Sequence, residues 1–322
     1  MSEIVCPVCG TNDAARRLWD LRDRLYPLDG LFPLSRCARC GLAYLDPPPD
    51  RATLSRHYPD TYYGPPSEAD PFCYRWRCRE IESVVPKGRL LDVGCGNGGF
   101  LAHMARRGWE VEGMDVSPRA VEVARSALGD RVRRAEWLDE AGFSQRHYDV
   151  VTLFEVLEHA SDPRSYLIET HRLLKPGGLC FISVPNFSSW ERLLFGPRWC
   201  GLDAPRHLFQ FTPSTLRTLL ARAGFVDIHI RAVNAREIQV RKNRFSYARD
   251  SLRHWLRDLG LYPPLTAPLL KEAPVPTPPR RSVLKTILQS AESIPTAVLW
   301  GIGRLAGRDN TLWVRAGRHA DS

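Results

Sequence analysis

The sequence predicts an α/β protein built on a Rossmann-like, doubly wound sheet and preceded by a small zinc-ribbon-like module. From residue 88 to about 232, short apolar runs alternate with helical patterns. Such alternation favours a parallel sheet covered by helices on both faces. A glycine-rich turn follows the first apolar run, and two C-x2-C pairs lie within the first 48 residues, where they indicate a metal-binding module.

The two pairs are formed by Cys6, Cys9, Cys37 and Cys40, and a glycine follows each pair. Each pair can direct two thiolates at one tetrahedral ion, and the glycine lets the backbone turn tightly. Four sulfur ligands leave no open position for water, so we expect one structural Zn²⁺ in residues 1–48. Four unconnected cysteines are the alternative. A redox role is disfavoured because neither pair follows a strand of a βαβ unit.

Residues 49–86 are expected to form a connecting arm followed by a helix. The stretch HYPDTYYGPP (57–66) contains too many aromatic residues for a flexible linker. A helical pattern at about 70–85 then leads into the core, which we place at residues 87–232.

Six strands and four helices follow in alternation. The predicted strands are GRLLDVG (88–94), EVEGMDVS (110–117), RVRRAEW (131–137), YDVVTLF (148–154), LCFISVPN (179–186) and VDIHIRAV (226–233). The predicted helices are GFLAHMARRG (99–108), PRAVEVARSAL (118–128), DPRSYLIETHRLLKPGG (162–178) and TPSTLRTLLARAGF (212–225). Gly108 and the Pro-Gly-Gly at 176–178 mark helix ends, and Thr212 is an expected N-cap.

The glycine-rich turn fits two ligands by spacing alone. Glycines at 94, 96 and 99 match the dinucleotide fingerprint, whereas those at 94, 96 and 98 match enzymes that hold S-adenosylmethionine (SAM). Asp115 lies where either kind of enzyme places a carboxylate for ribose hydroxyls. Asp92 discriminates, because a carboxylate before the turn repels a pyrophosphate and attracts the α-ammonium of SAM. The alternative is that Asp92 only caps the turn.

Four blocks, LLDVGCGNGGF, EVEGMDVSP, FEVLEHASDP and LLKPGGLCFISVPN, together resemble the class I SAM-dependent methyltransferases over residues 88 to about 232. The resemblance implies that TLWVRAGR (311–318) is an antiparallel last strand paired with VDIHIRAV. Residues 233–310 would then be an insertion, and 311–322 the last strand and tail. The implied site residues are Asp92, Gly94, Gly96 and Gly98 on the methionine side of SAM, Asp115 on the ribose, Glu136 and Trp137 near adenine, and Phe154 and Glu155 closing the pocket.

With the cysteine pairs included, the chain resembles a bacterial methyltransferase group that carries an N-terminal four-cysteine zinc module. That resemblance implies a small-molecule or carrier-linked acceptor, such as a sugar, polysaccharide or lipid-linked intermediate. An RNA methyltransferase is the main alternative, but FEVLEH replaces the motif used on nucleobase amines, and residues 1–50 hold six arginines against seven acids. An NAD-dependent oxidoreductase is disfavoured by Asp92. A non-catalytic adaptor is disfavoured by the intact cofactor positions.

The insertion contains a basic amphipathic helix. Residues 236–260 hold seven Lys or Arg against three acids, with an apolar stripe at helical spacing that includes Trp255 and Leu259. The basic residues that suggest a membrane-surface contact are Arg241, Lys242, Arg244, Arg249, Arg253 and Arg257. A proline-rich stretch and a second apolar stripe at 283–291 follow. We expect a cytoplasmic protein, without a secretory signal, that contacts the inner membrane through 236–306. A lid or dimer helix is the alternative.

The acceptor side is predicted at DAPRHLFQFT (203–212), which follows a strand and precedes the helix capped by Thr212. Such a connection crosses the carboxyl edge of the sheet, where open α/β folds bind ligands. His207 is the candidate general base, and Arg206 is the candidate anchor for an anionic acceptor. A structural histidine at 207 is the alternative. His159 is expected to close the start of a helix beside the cofactor.

Overall fold

The computed structural model describes residues 5–12, 15–26, 28–59, 71–233, 246–261 and 308–320, which form two sheets. The N-terminal part contains β1 (Arg16–Leu21), β2 (Phe32–Arg36) and β3 (Ala43–Leu45), followed by α1 (Arg51–Arg56) and α2 (Pro71–Glu82). α1 lies in the arm, where no helix was predicted. α2 matches the helix predicted at about 70–85.

The core continues the alternation of strands and helices. Its strands are β4 (Arg89–Val93), β5 (Glu110–Asp115), β6 (Val132–Arg134), β7 (Tyr148–Phe154), β8 (Leu174–Pro185), β9 (Phe209–Gln210), β10 (Val226–Val233) and β11 (Thr311–Gly317). Its helices are α3 (Gly99–Arg106), α4 (Pro118–Leu128), α5 (Pro163–Leu173), α6 (Trp190–Phe195), α7 (Pro213–Arg222) and α8 (Ser246–Asp258).

The seven-stranded sheet has the order β10-β11-β8-β7-β4-β5-β6. β4 pairs in parallel with both β5 and β7, and β7 pairs in parallel with β8. β11 is antiparallel to both of its neighbours, β8 and β10. The predicted Rossmann-like fold with an antiparallel last strand is therefore confirmed. Because chain order reverses at β4, its carboxyl end is the place where such sheets bind ligands.

Two elements end differently from their prediction. The third core strand is only three residues long, because the chain leaves the sheet after Arg134. α5 ends at Leu173 and not at the glycines, and β8 begins at Leu174. Pro176 disfavours helical backbone at the residue before it, so the helix ends ahead of the Pro-Gly-Gly. The Thr212 cap is confirmed, because its side chain accepts from the Thr215 N–H.

The four-stranded sheet joins distant parts of the chain, in the order β1-β2-β3-β9. β9 is antiparallel to β3, with Tyr44 opposite Phe209 and Ala43 opposite Gln210. One continuous buried apolar cluster includes residues of both sheets, among them Leu34 and Leu153. The N-terminal part is therefore packed against the core and shares a strand with the predicted acceptor segment.

α8 lies within the predicted insertion. It contacts the core through Ser251 and His254, which are buried, whereas Trp255 and Leu259 of the predicted stripe are 45% and 53% exposed. Among the described residues, no helix combines the length and apolarity needed to cross a membrane. The proline-rich stretch, the second apolar stripe, Arg241, Lys242, Arg244 and the Arg249 side chain lie outside the described residues.

Candidate active site

The glycine-rich turn connects β4 to α3. Gly94, Gly96 and Gly98 have φ values of 72°, 54° and 75°, in the left-handed region that disfavours other residues. A Cβ on Gly94 would lie 2.5 Å from the Val156 side chain, and one on Gly98 would lie 2.9 Å from that of Ala124. A Cβ on Gly96 would meet nothing within 4 Å, so the turn leaves an open cradle at its centre.

Asp92 lies near the carboxyl end of β4, immediately before this turn. Its side chain is buried, and Oδ1 lies 2.6 Å from the hydroxyl of Thr152. Burial raises the pKa of Asp92 to about 7, although Thr152 and the positive charge of Arg77 oppose the shift. Few neighbouring groups stabilise the negative charge of this buried carboxylate, so a ligand ammonium group is a favourable partner for it.

Asp115 ends β5 and shapes the same turn. Its carboxylate accepts from the N–H of Gly96 and from the N–H of Ser117, both at 2.8 Å. Burial raises the pKa of Asp115 despite these two hydrogen bonds. Each carboxylate oxygen can accept a further hydrogen bond, which leaves capacity for ribose hydroxyls.

Glu136 and Trp137 follow β6, where the resemblance implies an adenine contact. The Tyr166 hydroxyl on α5 donates to the Glu136 carbonyl at 2.9 Å, and the Tyr166 ring lies 6.1 Å from that of Trp137. The Glu136 carboxylate is exposed and pairs with Arg51 of the arm at 2.9 Å. Tyr166, which holds this segment in place, was not predicted as a site residue.

Phe154 at the end of β7 belongs to an aromatic group. Its ring stacks on Trp313 at 5.3 Å and meets Phe100 edge-on at 5.3 Å. The Arg77 guanidinium lies 4.3 Å from the Phe154 ring centre, and its charge opposes the raised pKa values of both Asp92 and Glu155. Arg77 was missed because α2 carries several arginines, and nothing in its spacing marks the buried one.

Two acids after β7, Glu155 and Glu158, have buried carboxylate oxygens. Within the described residues, Oε1 of Glu155 and both carboxylate oxygens of Glu158 have no hydrogen-bond partner. Glu155 also has a φ of 57°, a strained value for a residue with a side chain. Burial raises the pKa of both groups, and for Glu158 the nearby Glu155 charge adds to the effect. Glu155 was predicted as a site residue, whereas Glu158 was not.

His207 lies in residues 203–210, which we call the acceptor loop. Its Nδ1 is 2.9 Å from the carbonyl oxygen of Gly201. A carbonyl can only accept, so Nδ1 carries a proton and the neutral ring has its lone pair on Nε2. Nε2 lies 4.0 Å from Oε1 of Glu158 and 3.9 Å from Oδ2 of Asp203.

His159 completes this group, 4.6 Å from the His207 ring, with its Nδ1 2.8 Å from the Tyr58 hydroxyl and 3.0 Å from the Arg206 carbonyl. Burial lowers the pKa of His159 to about 3, which keeps the ring neutral. Ligand atoms of Glu158, His159 and His207 lie within 4.8 Å of one another, a spacing that a metal ion could also use. The expected helix-start role of His159 is wrong, because Asp162 caps α5.

Arg206 requires a correction. Its side chain is fully buried, and its guanidinium donates to Asp23, Asp203 and the carbonyl of His57. These bonds use all five N–H donors of a guanidinium. The expected role as a substrate anchor therefore has no support, because an acceptor would find no N–H directed at it.

The four cysteines of the N-terminal pairs come together, with all four sulfur atoms within 4.8 Å of one another. Cys6 and Cys40 have sulfurs 3.5 Å apart, and those of Cys9 and Cys37 are 3.6 Å apart. Zn–S bonds of about 2.3 Å in a tetrahedron give sulfur separations of about 3.8 Å. Both pairs also form the same turn, in which the N–H of the following glycine donates to the first cysteine carbonyl. The donor set fits one zinc ion.

Comparison with known proteins identifies the core. Residues 72–230 match the family model described as a methyltransferase domain. The ubiquinone biosynthesis O-methyltransferase of Cereibacter sphaeroides strain KD131 is 38% identical over 161 residues, which cover 45% of this chain and 64% of the relative. The protein of the same name from Nitrosomonas europaea is 32% identical over 187 residues, which cover 54% of this chain and 79% of the relative.

A SAM-dependent methyltransferase structure from Archaeoglobus fulgidus aligns with 84% of this chain and 100% of its own, at a TM-score of 0.49 and 18% identity. The chain spans 64% of the length of the Cereibacter relative, so the match to that protein is partial. The Nitrosomonas relative is matched over most of its length. On the family match, that similarity and the sheet topology, the chain belongs to the class I SAM-dependent methyltransferases.

Proposed function

We propose that this protein transfers the methyl group of SAM to a hydroxyl oxygen of a small-molecule acceptor, with His207 as the general base. The observation that carries the proposal is the lone pair of His207 Nε2. It is fixed by the bond from Nδ1 to the Gly201 carbonyl, and it lies beside the buried carboxylate of Glu158.

His207 removes the acceptor proton onto Nε2, and the ring then becomes positively charged. Glu158, 4.0 Å away and without a partner among the described residues, stabilises that charge when ionised. Proton transfer by a positioned side chain contributes about 10²–10⁴-fold to such reactions.

The residues around the glycine-rich turn bind SAM and orient it. When bound, SAM supplies a methyl group that is activated by its sulfonium, so the protein mainly has to align the acceptor with it. Asp92 attracts the ammonium group of SAM, and Asp115 accepts hydrogen bonds from its ribose hydroxyls. The cradle at Gly96 leaves room for SAM to lie close to the backbone of the turn. Arg77, whose charge acts on Asp92, is the natural partner for the carboxylate of the methionine part.

The acceptor class rests on two separate arguments. The relatives are named for O-methylation in ubiquinone biosynthesis. The resemblance of the whole chain to zinc-containing bacterial methyltransferases favours a sugar, polysaccharide or lipid-linked acceptor. Both describe a small or carrier-linked molecule with a hydroxyl group, which a histidine base is suited to deprotonate.

We also propose that Cys6, Cys9, Cys37 and Cys40 hold one structural Zn²⁺. The sulfur separations of 3.5 and 3.6 Å are close to the tetrahedral value and far longer than a disulfide bond of about 2.05 Å.

The test is an assay with methyl-labelled SAM against pools of phenolic, nucleotide-sugar and polyprenyl-linked acceptors, with RNA as a further arm. His207→Gln should lower turnover by about 10²–10⁴-fold and leave SAM affinity within two-fold. His229→Gln, an exposed histidine on β10, is the matched control. Label transfer to RNA alone, or normal turnover in His207→Gln, would contradict the proposal.

A further inference from the structure

The acceptor loop is held by both parts of the protein. Its last two residues form β9, which pairs with β3 of the N-terminal sheet. Its backbone also meets the core, because the N–H groups of Leu208 and Phe209 donate to the Glu158 carbonyl at 2.7 and 3.2 Å. The segment that carries His207 therefore bridges the two sheets.

Asp23 is the charged contact from the N-terminal part to this loop. Its side chain is fully buried and accepts from Nη1 and Nη2 of Arg206 at 2.8 and 2.9 Å. Nδ1 of His57 lies 2.6 Å from the same carboxylate. Backbone N–H groups of Leu25 and Tyr26 also donate to it, at 2.8 and 3.0 Å. Asp23 thus fixes one side of the Arg206 guanidinium.

The other side of the guanidinium holds Asp203. Nη2 and Nε of Arg206 donate to the Asp203 carboxylate at 2.7 and 3.1 Å. Asp203 has a φ of 32°, a conformation that a residue with a side chain keeps only when its surroundings hold it. The backbone N–H of His207 donates to the Asp203 carbonyl at 3.1 Å, and the Asp203 carboxylate is 3.9 Å from His207 Nε2. The strained residue therefore sets the position of His207.

We propose that Asp23 is a positioning residue for methyl transfer: through Arg206 and Asp203 it fixes the orientation of His207. This inference rests on the proposed role of His207 as the base. An apolar cluster of similar volume often stabilises a fold as well as a buried ion pair does. A guanidinium with all its hydrogen bonds made also fixes the orientation of the groups it binds. A general base needs such a fixed orientation relative to the acceptor hydroxyl.

The test is a double-mutant cycle in the full-length protein. Asp23→Asn keeps the side-chain shape but removes the charge that orients Arg206, and should lower kcat by about ten- to hundred-fold, with SAM affinity within two-fold. In a His207→Gln background the same change should lower kcat less than two-fold, because there is no base left to position. Asp20→Asn, an exposed residue of the same module paired with Arg17, should have no effect in either background.

The outcomes separate the two proposals. Equal losses from Asp23→Asn in both backgrounds would assign Asp23 to general stability and overturn the inference alone. Normal turnover in His207→Gln would remove the base assignment and the inference together. Should Asp23→Asn fail to fold, Arg206→Lys keeps the charge but loses the fork, and should show the same dependence on His207. An equal loss from Arg206→Lys in both backgrounds would likewise overturn the inference.

Discussion

Replacing Asp92 with asparagine tests the electrostatic basis of cofactor binding. A charge-assisted hydrogen bond contributes about 1.5–3 kcal/mol, and about 1.4 kcal/mol corresponds to a ten-fold change in affinity. Because the pKa of Asp92 is about 7, this side chain is ionised in roughly half of the unbound protein molecules at pH 7. The gain in SAM affinity from its charge is therefore reduced by about two-fold. Asp92→Asn should therefore weaken SAM binding by about ten- to hundred-fold.

The same pKa predicts a pH dependence with a defined sign. The ammonium group binds ionised Asp92, so lowering the pH protonates the carboxylate and weakens binding. With a pKa of about 7, affinity should fall about five-fold from pH 7 to pH 6 and about ten-fold per further unit. Asp92→Asn should remove this dependence, because asparagine does not titrate. The range below pH 7 also keeps the ammonium of SAM protonated.

Calorimetric titration with SAM and S-adenosylhomocysteine between pH 5.5 and 7 measures both effects. Thermal melting without ligand supplies the stability control. A carboxyl group with a raised pKa favours folding most at low pH, and loses that contribution as the pH rises through about 7. Ligand-free Asp92→Asn should thus melt no lower than the wild type at pH 8. Unchanged SAM affinity in the variant, or wild-type affinity that is flat with pH, would refute the reasoning.

Three further predictions address the cradle, the metal and the insertion. Gly96→Ala should abolish SAM binding by filling the cradle. Gly260→Ala, with a φ of 71° and no neighbour within 4 Å, is the control: it should bind SAM normally at a similar cost of about 1 kcal/mol in stability. Replacing any one module cysteine by serine should lower zinc content, measured by mass spectrometry, from one equivalent to near zero and destabilise the module. Trp255→Ala should reduce flotation of the protein with anionic vesicles several-fold. Val84→Ala, which changes another exposed apolar residue, should not. Wild-type protein that fails to float at low salt would contradict the predicted membrane contact.

Local sequence patterns were sufficient to predict the parallel core. The alternation of strands and helices, the glycine-rich turn and the Thr212 cap each depend on residues close in sequence, and the structure confirms all three. The pairing of β9 with β3 joins residues more than 160 positions apart. A two-residue strand has no periodicity to detect, so this pairing could not be predicted.

The orientation of α8 shows a second limit. An apolar stripe predicts which face of a helix prefers burial. In α8, however, the buried side chains among those described are Ser251 and His254, whereas Leu252 and Leu256, which also belong to the stripe, are only half-buried. Ser251 accepts from the Cys200 N–H at 2.9 Å, and Nδ1 of His254 lies 3.3 Å from the Arg198 carbonyl. These partners satisfy the buried polar groups, so a polar face can pack against the core. The hydrogen bonds depend on Arg198 and Cys200, which lie far from α8 in the sequence, so they cannot be predicted from the helix sequence alone.

Arg206 and His207 are adjacent in sequence, and only the completeness of their hydrogen bonding separates structure from function. Every N–H of the Arg206 guanidinium has an acceptor, as expected of a group that stabilises a fold. His207 keeps a lone pair on Nε2, beside a Glu158 carboxylate with no partner among the described residues. Leaving buried polar groups unpaired costs stability, and proteins accept that cost mainly at functional sites. The incompletely bonded group is therefore the one we assign to chemistry.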